Sequence, residues 1–450
     1  MVRPGATEID VDHNPLSRRS FLALAMAAPL GASALAACGT TGPGQAAAGE
    51  ASIWYLTGQP QEGLRKATVD AFNASHPDGQ LAATFFENDA YKTRIRTAVG
   101  ANQAPSAIWT WGGGGLRDYV NNGQVDDLTD WFAQNPEIKS KLFENAFPAA
   151  TIDGKIYAMP CEQVSPIVMF YNKQLFEQVG AQPPTTWDEL MALVPVFNDA
   201  GIAPFSLAGQ SRWTNMMWLE FLFDRQGGPE VFDAIAAGEP DAWSHPAAIA
   251  GLTKVQDLVR ANGFANGFQS ISADANADQA LLHQGRAAMM LHGAWTYGSM
   301  KEEGGDFVTG GHLGWSPFPA IEGGAGDPTT GVGNPASFLA LSSQASEEQK
   351  AIVLDYFANG LLTDADIDGW VASGAVPIVK GVDSKFSGPD APFQQFVYDS
   401  ATQASSWVHS WDQALLPGPA EQLLNNIEQL FSLSITPEQF ATNMNAVPSS

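Results

Sequence analysis

The order of apolar and polar residues after position 50 predicts strands and helices in alternation. Apolar runs at Ser52–Leu56, Leu81–Phe86 and Ala107–Trp111 have the length of buried strands, and the last of them ends at four glycines. The segments between them, Gly63–Ser75 and Asp89–Ala101, repeat apolar residues at the spacing of one helix face. This β-α-β-α-β order predicts a parallel sheet that holds ligands near the carboxyl ends of its strands.

The same alternation continues through the rest of the chain. Thr186 and Ser346 each precede a Glu or Gln by three residues, and Thr436 precedes a proline, which are patterns that begin helices. Short apolar strands are expected at Ala287–His292 and Phe338–Ser342. The whole chain is therefore predicted to be α/β.

The first residues carry the pattern of an export signal followed by a lipid anchor. Two consecutive arginines precede an uncharged stretch from Phe21 to Ala37, as in twin-arginine signals. The stretch ends in Leu35-Ala36-Ala37-Cys38, which is typical of the site where bacterial lipoproteins are cleaved and acylated. We expect residues 1–37 to be a signal peptide, Cys38 to carry the lipid, and 38–50 to form a flexible tether. The protein should then be exported and anchored to the outer face of the cytoplasmic membrane.

Size and charge narrow the possible partners. The 450 residues include 22 basic and 48 acidic side chains, a net charge of −26, and removal of residues 1–37 leaves this charge unchanged. A strongly acidic chain is a poor partner for nucleic acid or anionic lipid, so we expect neither. The length and the 45% hydrophobic content are enough for a large core divided between two domains.

Six motifs follow one another between Ser52 and the C-terminus. They are Trp109–Gly112 with Leu116–Val120, Gly154–Pro160, Phe170–Lys173, Pro183–Leu190, Gly285–Met290 with Gly293–Trp295, and Trp315–Pro319. In this order they resemble the extracellular solute-binding proteins of carbohydrate ABC transporters, the class that includes maltose-binding protein.

The resemblance implies a periplasmic-binding-protein type II fold, in which crossing hinge segments join two α/β lobes and the ligand lies in the cleft between them. The expected N-terminal lobe holds 51–161 and 313–361, the expected C-terminal lobe holds 165–308 and 365–450, and the crossings fall near 161–165, 307–313 and 362–365. It also implies that a monomer captures a carbohydrate and delivers it to an ABC transporter permease. Thirteen tryptophans favour an oligosaccharide over a monosaccharide as that carbohydrate.

A pyranose ring has an apolar face and a rim of hydroxyls, so its site needs aromatic platforms and hydrogen-bonding side chains. Trp295 and Trp213 lie where the family often places sugar-stacking aromatics. Trp111 ends the third predicted strand, whereas Trp109, two residues earlier, is expected in the core. The other candidates are Glu162 at the first crossing, Tyr297, Gly112, Glu87, Asn88, Asp89, Gln59, Gln61, Asn334, and Trp407 with Trp411, which are expected to share one helix face toward either the cleft or the interior.

The sequence gives less support to nucleotide binding, metal binding or catalysis. The glycines at 112–115 lack the rest of a nucleotide-binding motif and the histidines show no metal spacing, so no cofactor or metal is expected. Cys161 has no disulfide partner if Cys38 is acylated, and we expect a buried, inert thiol. Two alternatives stay open: a secreted glycoside hydrolase that uses Glu87 and Glu162, and a lipoprotein adhesin or chaperone. Among sugars, β-linked xylo- or gluco-oligosaccharides are the first expectation.

Overall fold

The computed structural model describes residues 49–448. The twin-arginine segment, Cys38 and most of the expected tether lie outside the described residues. The first strand begins at Glu50, so the last residue assigned to the tether belongs to the folded body. No helix within 49–448 is both long enough and apolar enough to cross a membrane.

Strands and helices alternate along the described chain. The strands are β1 (Glu50–Leu56), β2 (Gln80–Phe86), β3 (Ala107–Thr110), β4 (Thr151–Ile152), β5 (Lys155–Ile156), β6 (Ala158–Cys161), β7 (Ser165–Asn172), β8 (Ala203–Ser206), β9 (Ala287–Gly293), β10 (Leu313–Ser316), β11 (Gly331–Asn334), β12 (Ser337–Leu341) and β13 (Trp407–His409). The α-helices are α1 (Gln61–Ser75), α2 (Asn88–Gly100), α3 (Gly113–Asn121), α4 (Thr129–Gln134), α5 (Pro136–Lys141), α6 (Lys173–Val179), α7 (Trp187–Asp199), α8 (Trp213–Gly227), α9 (Glu230–Ala236), α10 (Pro246–Arg260), α11 (Ala277–His283), α12 (Thr296–Glu303), α13 (Glu347–Asn359), α14 (Asp364–Ala372), α15 (Ala391–Thr402), α16 (Trp411–Ala414), α17 (Pro417–Phe431) and α18 (Pro437–Asn445).

Local sequence signals explain where several of these helices begin. Thr186 and Ser346 each form a complete capping box with the Glu or Gln three residues later, as the sequence predicts. Thr436 forms a third capping box, at a helix start that the sequence predicts from the following proline. A cap of this kind stabilises a helix by about 1 kcal/mol because it satisfies backbone N–H groups that have no partner inside the helix.

The first lobe is built on a five-stranded sheet in the order β2-β1-β3-β12-β6. Strand β1 is parallel to both β2 and β3, which confirms the parallel arrangement expected from the alternating pattern. Strand β12 returns from later in the chain and pairs antiparallel with β3 and β6. The carboxyl ends of β1, β2 and β3 therefore meet along one edge, where they can face a ligand.

The second lobe contains the sheet β13-β11-β7-β9-β8, to which β10 adds by pairing with β7. Strand β9 is antiparallel to β7 and parallel to β8. A second apolar core, centred on fully buried residues such as Trp218, Phe205 and Trp411, lies against this sheet.

The crossings between the sheets are only partly where the resemblance places them. The first runs between β6 and β7, within 161–165 as expected. The second differs from the expected 307–313, because β10 and β11 pair with β7 and only β12 belongs to the first sheet, so the chain crosses at 335–336. Gly314 permits the β10 pairing, since a Cβ there would lie 2.2 Å from the ring of Tyr171.

The third crossing also lies later than 362–365. Helix α14 stays with the first lobe, where the Asp366 carboxylate accepts a hydrogen bond of 2.6 Å from Thr68 of α1. The chain then runs beside the first crossing, where the backbone N–H of Val164 donates to Val376 at 3.0 Å. It enters the second sheet only at β13. Sequence distance alone could not show this, because α14 joins α1 through contacts between segments far apart in the chain.

Candidate functional site

A cavity of about 210 Å³ lies between the two lobes. The first lobe lines it with residues that follow the carboxyl ends of β1, β2 and β3, and the second lobe with residues around the end of β9 and the start of α8. Strand ends supply side chains and free backbone groups at one edge of a sheet, so this is where an α/β protein holds a ligand.

A buried ion pair forms the floor of the cavity. The guanidinium of Arg65 donates to both carboxylate oxygens of Glu162, each at 2.8 Å, and a third N–H donates to the carbonyl of Leu56 at 2.8 Å. The indole N–H of Trp109 donates to the same carboxylate at 3.0 Å. Only 7% of the Arg65 side chain and 5% of the Glu162 side chain are exposed. A bidentate pair with this many donors is rigid and strongly bound.

This arrangement changes the expected roles of two residues. Trp109 is buried as predicted, yet it also lines the cavity through its contact with Glu162. Glu162 lines the cavity, and its two carboxylate oxygens accept hydrogen bonds from Arg65 and Trp109. It has a positive φ of 63°, so the first crossing turns sharply at this carboxylate.

Three rings of the second lobe form one wall. The ring centroids of Trp213 and Trp295 are 6.2 Å apart, and His292 lies 5.5 Å and 5.4 Å from them. Gly293 makes this possible, because a Cβ there would lie 1.8 Å from the indole of Trp295. Within residues 49–448 the Trp213 indole N–H has no hydrogen-bond acceptor. The wall thus offers aromatic faces, as a sugar platform requires.

The first lobe supplies the facing wall. Trp111 packs edge-on against Trp109, with ring centroids 4.5 Å apart at 83°. The ammonium of Lys92 lies 5.1 Å above the Trp111 ring and 5.9 Å above Trp213, and is 2.9 Å from a carboxylate oxygen of Asp412. This cation therefore joins aromatic residues of both lobes.

Polar candidates from the first lobe surround the cavity. Glu87, Asn88, Gln59 and Gln61 all line it, at the ends of β2 and β1. The side-chain amide of Gln61 donates to the carbonyl of Trp295 at 3.1 Å, which links the lobes directly.

Three further candidates lie near these positions, and one of them lines the cavity. Asn334 lines the same cavity. Asp89 lies beside it and donates its backbone N–H to the carboxylate of Asp274 at 3.3 Å. Burial, together with the negative charges of Asp89 and Glu87, raises the pKa of Asp274. Gly112 does not line the cavity, and its φ of 79° fits a close approach to the carbonyl of Ala149 instead.

Three predicted aromatic contacts do not line this cavity: Tyr297 and Trp411, which are described first, and Trp407. Tyr297 is buried, stacks on Phe393 with ring centroids 4.1 Å apart, and donates to Asp390 at 2.8 Å. Trp411 is fully buried and stacks on Phe232 at 4.7 Å inside the second lobe. Each of these rings is held by core neighbours.

The expected helix that would carry Trp407 and Trp411 is wrong. Trp407 lies in strand β13, where its indole N–H donates to the carbonyl of Gly333 at 2.9 Å, whereas Trp411 begins α16. The two side chains therefore do not share a helix face. A spacing of four residues looked helical, but pairing of β13 with β11 decided the backbone.

Several lining residues were not among the sequence candidates. They are Arg65, Lys92, His292, Asp274, Asn276, Gln279, Asp412 and Gln413. His292 precedes the Gly293–Trp295 motif and could have been found from that neighbourhood. Arg65 and Lys92 lie inside helices and carry no local signal that separates them from surface cations.

Cys161 lies beside the floor of the cavity and is buried. Burial raises the pKa of its thiol well above the usual range, and the charge of Glu162 adds to the effect. The thiol is thus held protonated, in agreement with an inert cysteine. Within residues 49–448 no group of three or more His, Cys, Asp or Glu side chains could hold a metal ion.

Known proteins with similar sequences indicate the family of this chain. A maltotriose-binding protein of Pyrococcus abyssi is 25% identical over 281 residues, which cover 61% of this chain and 54% of that protein, so the chain spans about half of that relative. A multiple sugar-binding protein of Streptococcus mutans is 27% identical over 360 residues, covering 74% of this chain and 80% of the relative.

Solved structures agree with the fold. A structure from work on xylan utilization by the thermophilic bacterium Caldanaerobius polysaccharolyticus has a TM-score of 0.78 and 29% identity, covering 88% of this chain and 99% of that one. A chitin oligosaccharide binding protein has the same TM-score at 22% identity, with coverage of 88% and 97%, and supports the fold alone.

The family profile for bacterial extracellular solute-binding proteins matches residues 57–359. This range includes most of the cavity wall and every strand of the two sheets except β1 and β13. The family is one of binding proteins and not of enzymes, which argues against the glycoside hydrolase alternative, as does the engagement of both Glu162 oxygens by Arg65 and Trp109. The chain is a member of the bacterial extracellular solute-binding protein family.

Proposed function

We propose that this protein captures a neutral oligosaccharide in the cleft between its lobes and delivers it to the permease of an ABC importer. The observation that carries the proposal is the pairing of indole faces on opposite walls, Trp111 on one lobe and Trp213 with Trp295 on the other. Aromatic faces bind the apolar face of a pyranose, and the amide and carboxylate groups between them bind its hydroxyls.

The charges in the cleft favour a neutral ligand. The two cations in its wall are already paired, Arg65 with Glu162 and Lys92 with Asp412. An anionic ligand would have to displace one of these carboxylates, which leaves a buried charge without its partner. The names of the relatives, which bind maltotriose or several sugars, also support an uncharged carbohydrate.

The ligand is proposed to bind by closure of the two lobes. Gln61 and Lys92 of the first lobe contact Trp295 and Asp412 of the second, so these contacts form only when the lobes approach. A ligand shifts such an equilibrium by its preference for the closed form. The permease would then recognise the closed pair of lobes.

We further propose that the chain is exported by the twin-arginine route and held at the outer face of the cytoplasmic membrane by lipids on Cys38. Firm retention needs more than one acyl chain, as bacterial lipoproteins have. Residues between Cys38 and β1 would tether a monomeric binding body close to its permease.

A melting-temperature screen tests the sugar assignment. The panel contains xylose, xylotriose, xylohexaose, cellotriose, maltotriose and chitotriose, with glucuronic acid as a charged control. A ligand at about 100 times its dissociation constant adds about 2.7 kcal/mol to the free energy of unfolding. We expect at least one neutral oligosaccharide to raise the melting temperature without release of new reducing ends.

Absence of a shift with every neutral sugar would refute the carbohydrate proposal and favour an adhesin or chaperone role. A time-dependent rise in reducing ends would instead restore the hydrolase alternative. Calorimetric titration of the best ligand should give one site per chain.

A further inference from the structure

A second cavity of about 250 Å³ lies between the same two lobes. The first lobe contributes residues of α2, β3 and α3, and the second contributes the segments 210–213 and 412–424. It contains the phenol rings of Tyr91 and Tyr119 and the polar side chains of Gln210 and Arg212. Each cavity alone is smaller than the roughly 300 Å³ at which common ligand sites begin, whereas the two together exceed it.

The two cavities share one wall. Six residues line both of them: Lys92, Trp109, Trp111, Trp213, Asp412 and Gln413. Within this wall the Lys92 ammonium contacts the Asp412 carboxylate at 2.9 Å and lies over the rings of Trp111 and Trp213. The side-chain amide of Gln413 donates to the same carboxylate at 2.8 Å. The partition therefore runs from one lobe to the other, and within it the long, flexible side chain of Lys92 contacts residues of both lobes.

The second cavity suits the same class of ligand as the first. Three cations line it: Lys92 is paired with Asp412, Arg212 is paired with Glu421 at 3.2 Å and donates to Asn425 at 2.6 Å, and Arg96 of α2 is the third. Trp111 and Trp213 form part of both cavities, which would let sugar rings follow one another along the indoles.

We propose that Lys92 sets the length of the oligosaccharide that this protein prefers. Its side chain ends the first cavity, and the second cavity is a subsite that further sugar units enter when that side chain is removed or displaced. This inference rests on the proposed function, because it assumes that the first cavity binds a neutral sugar chain.

The test compares affinities along a ladder of one sugar. Xylose, xylobiose, xylotriose, xylotetraose and xylohexaose are titrated calorimetrically, with the corresponding cello-oligosaccharides as a second ladder. Three variants are compared. Lys92→Ala removes the lysine side chain from the wall between the cavities, Asp412→Asn breaks the ion pair but keeps the volume of the side chain at 412, and the third variant combines both substitutions. Lys155→Ala is the matched control, since Lys155 also forms an ion pair of 2.9 Å, with Asp127, but does not line either cavity.

The readout is the ratio of the affinity for the longest sugar to that for the shortest sugar that binds. Wild type and Lys155→Ala should gain little beyond the length that fills the first cavity. Lys92→Ala and the double variant should raise the ratio about tenfold, the gain expected for one more stacked ring. Asp412→Asn should leave the ratio within about twofold of wild type, since the Lys92 side chain still fills the partition.

If Lys92 acts only in lobe closure, the expected result is different. It would change the affinity for every sugar in a ladder by the same factor and leave the ratio unchanged, and this result overturns the inference while the proposed function stands. If Lys92→Ala leaves the ratio of the affinities for long and short sugars unchanged, the inference is likewise overturned. If no sugar of either ladder binds any of the proteins, the proposed function fails and the inference fails with it.

Discussion

Helix α3 touches the second lobe through a glycine, and this contact makes lobe closure testable. Gly114 lies in α3 at a point where the helix meets the backbone of residues 414 and 415. Leu415 belongs to the core of the second lobe, whereas Leu116 of the same helix belongs to the core of the first. We predict that Gly114→Ala hinders closure without harming either lobe.

The size of the effect follows from the distances. A Cβ on Gly114 would lie 2.2 Å from the carbonyl oxygen of Leu415 and 2.7 Å from that of Ala414, whereas ordinary contact begins at 3.4 Å. Both obstacles are backbone atoms, so no side-chain rotation relieves them, and the lobes must separate by about 1 Å. Overpacking of this kind costs about 1 to 3 kcal/mol. Because only the closed form carries the cost, the apparent affinity for sugar should fall about ten- to hundredfold.

The adjacent residue supplies the control. A Cβ on Gly115, in the same helix, would meet no atom within 4 Å. Both substitutions favour the helix by about 1 kcal/mol, so neither should lower the melting temperature of the unliganded protein. Calorimetric titration with the best sugar of the screen measures affinity, and small-angle scattering with saturating sugar measures closure. Gly115→Ala should behave as wild type in both.

Equal affinities for Gly114→Ala, Gly115→Ala and wild type would refute this reasoning, because closure would then not bring α3 against Leu415. A fall in the melting temperature of unliganded Gly114→Ala would mean that the contact is permanent and not part of a closing motion.

Other substitutions test the site, the core and the anchor. Trp295→Ala should weaken sugar binding by about 2 to 4 kcal/mol through lost apolar contact and stacking, with little change in unliganded melting, and titration against melting curves separates the two. Trp411→Ala should instead lower the free energy of unfolding by about 3 to 5 kcal/mol, since this ring is fully buried, and a binding defect without loss of stability would contradict its place in the core. Burial raises the pKa of Glu220 from 4.5 to about 8, so its contribution to stability is complete below pH 4.5 and is lost as the pH rises through 8. Glu220→Gln keeps an acceptor for the backbone N–H of Trp411. In urea unfolding, its free energy of unfolding should exceed that of wild type by about 3 kcal/mol at pH 7 and equal it near pH 4. If the free energies of the two proteins instead change in parallel with pH, Glu220 ionises freely. Cys38→Ala should move the exported protein from the membrane fraction to the soluble fraction with unchanged sugar affinity, and continued membrane retention would exclude Cys38 as the anchor.

Features that depend on neighbouring residues could be predicted from the amino-acid sequence. The apolar periods predicted β1 to β3 and the helices between them. Two capping boxes predicted the starts of α7 and α13, and Thr436 with its following proline predicted the start of α18. Trp111 is a candidate because it ends a predicted strand, and strand ends in α/β proteins face the ligand edge of the sheet. These signals are local, so one chain without its relatives is enough to show them, whereas Trp295 and Trp213 are candidates through the resemblance to a family.

Contacts between residues far apart in the sequence are visible only in the folded structure. Tyr297 lies two residues after Trp295, yet it packs on Phe393 and not in the cleft, and the spacing of Trp407 and Trp411 gave no sign that one is in a strand. Arg65 and Glu162 are 97 residues apart, and their ion pair exists only because α1 and the first crossing lie side by side. The same is true of Lys92 and Asp412, which belong to different lobes. Pairing across long sequence separations depends on the packing of whole sheets and helices, which a pattern of neighbouring side chains does not contain.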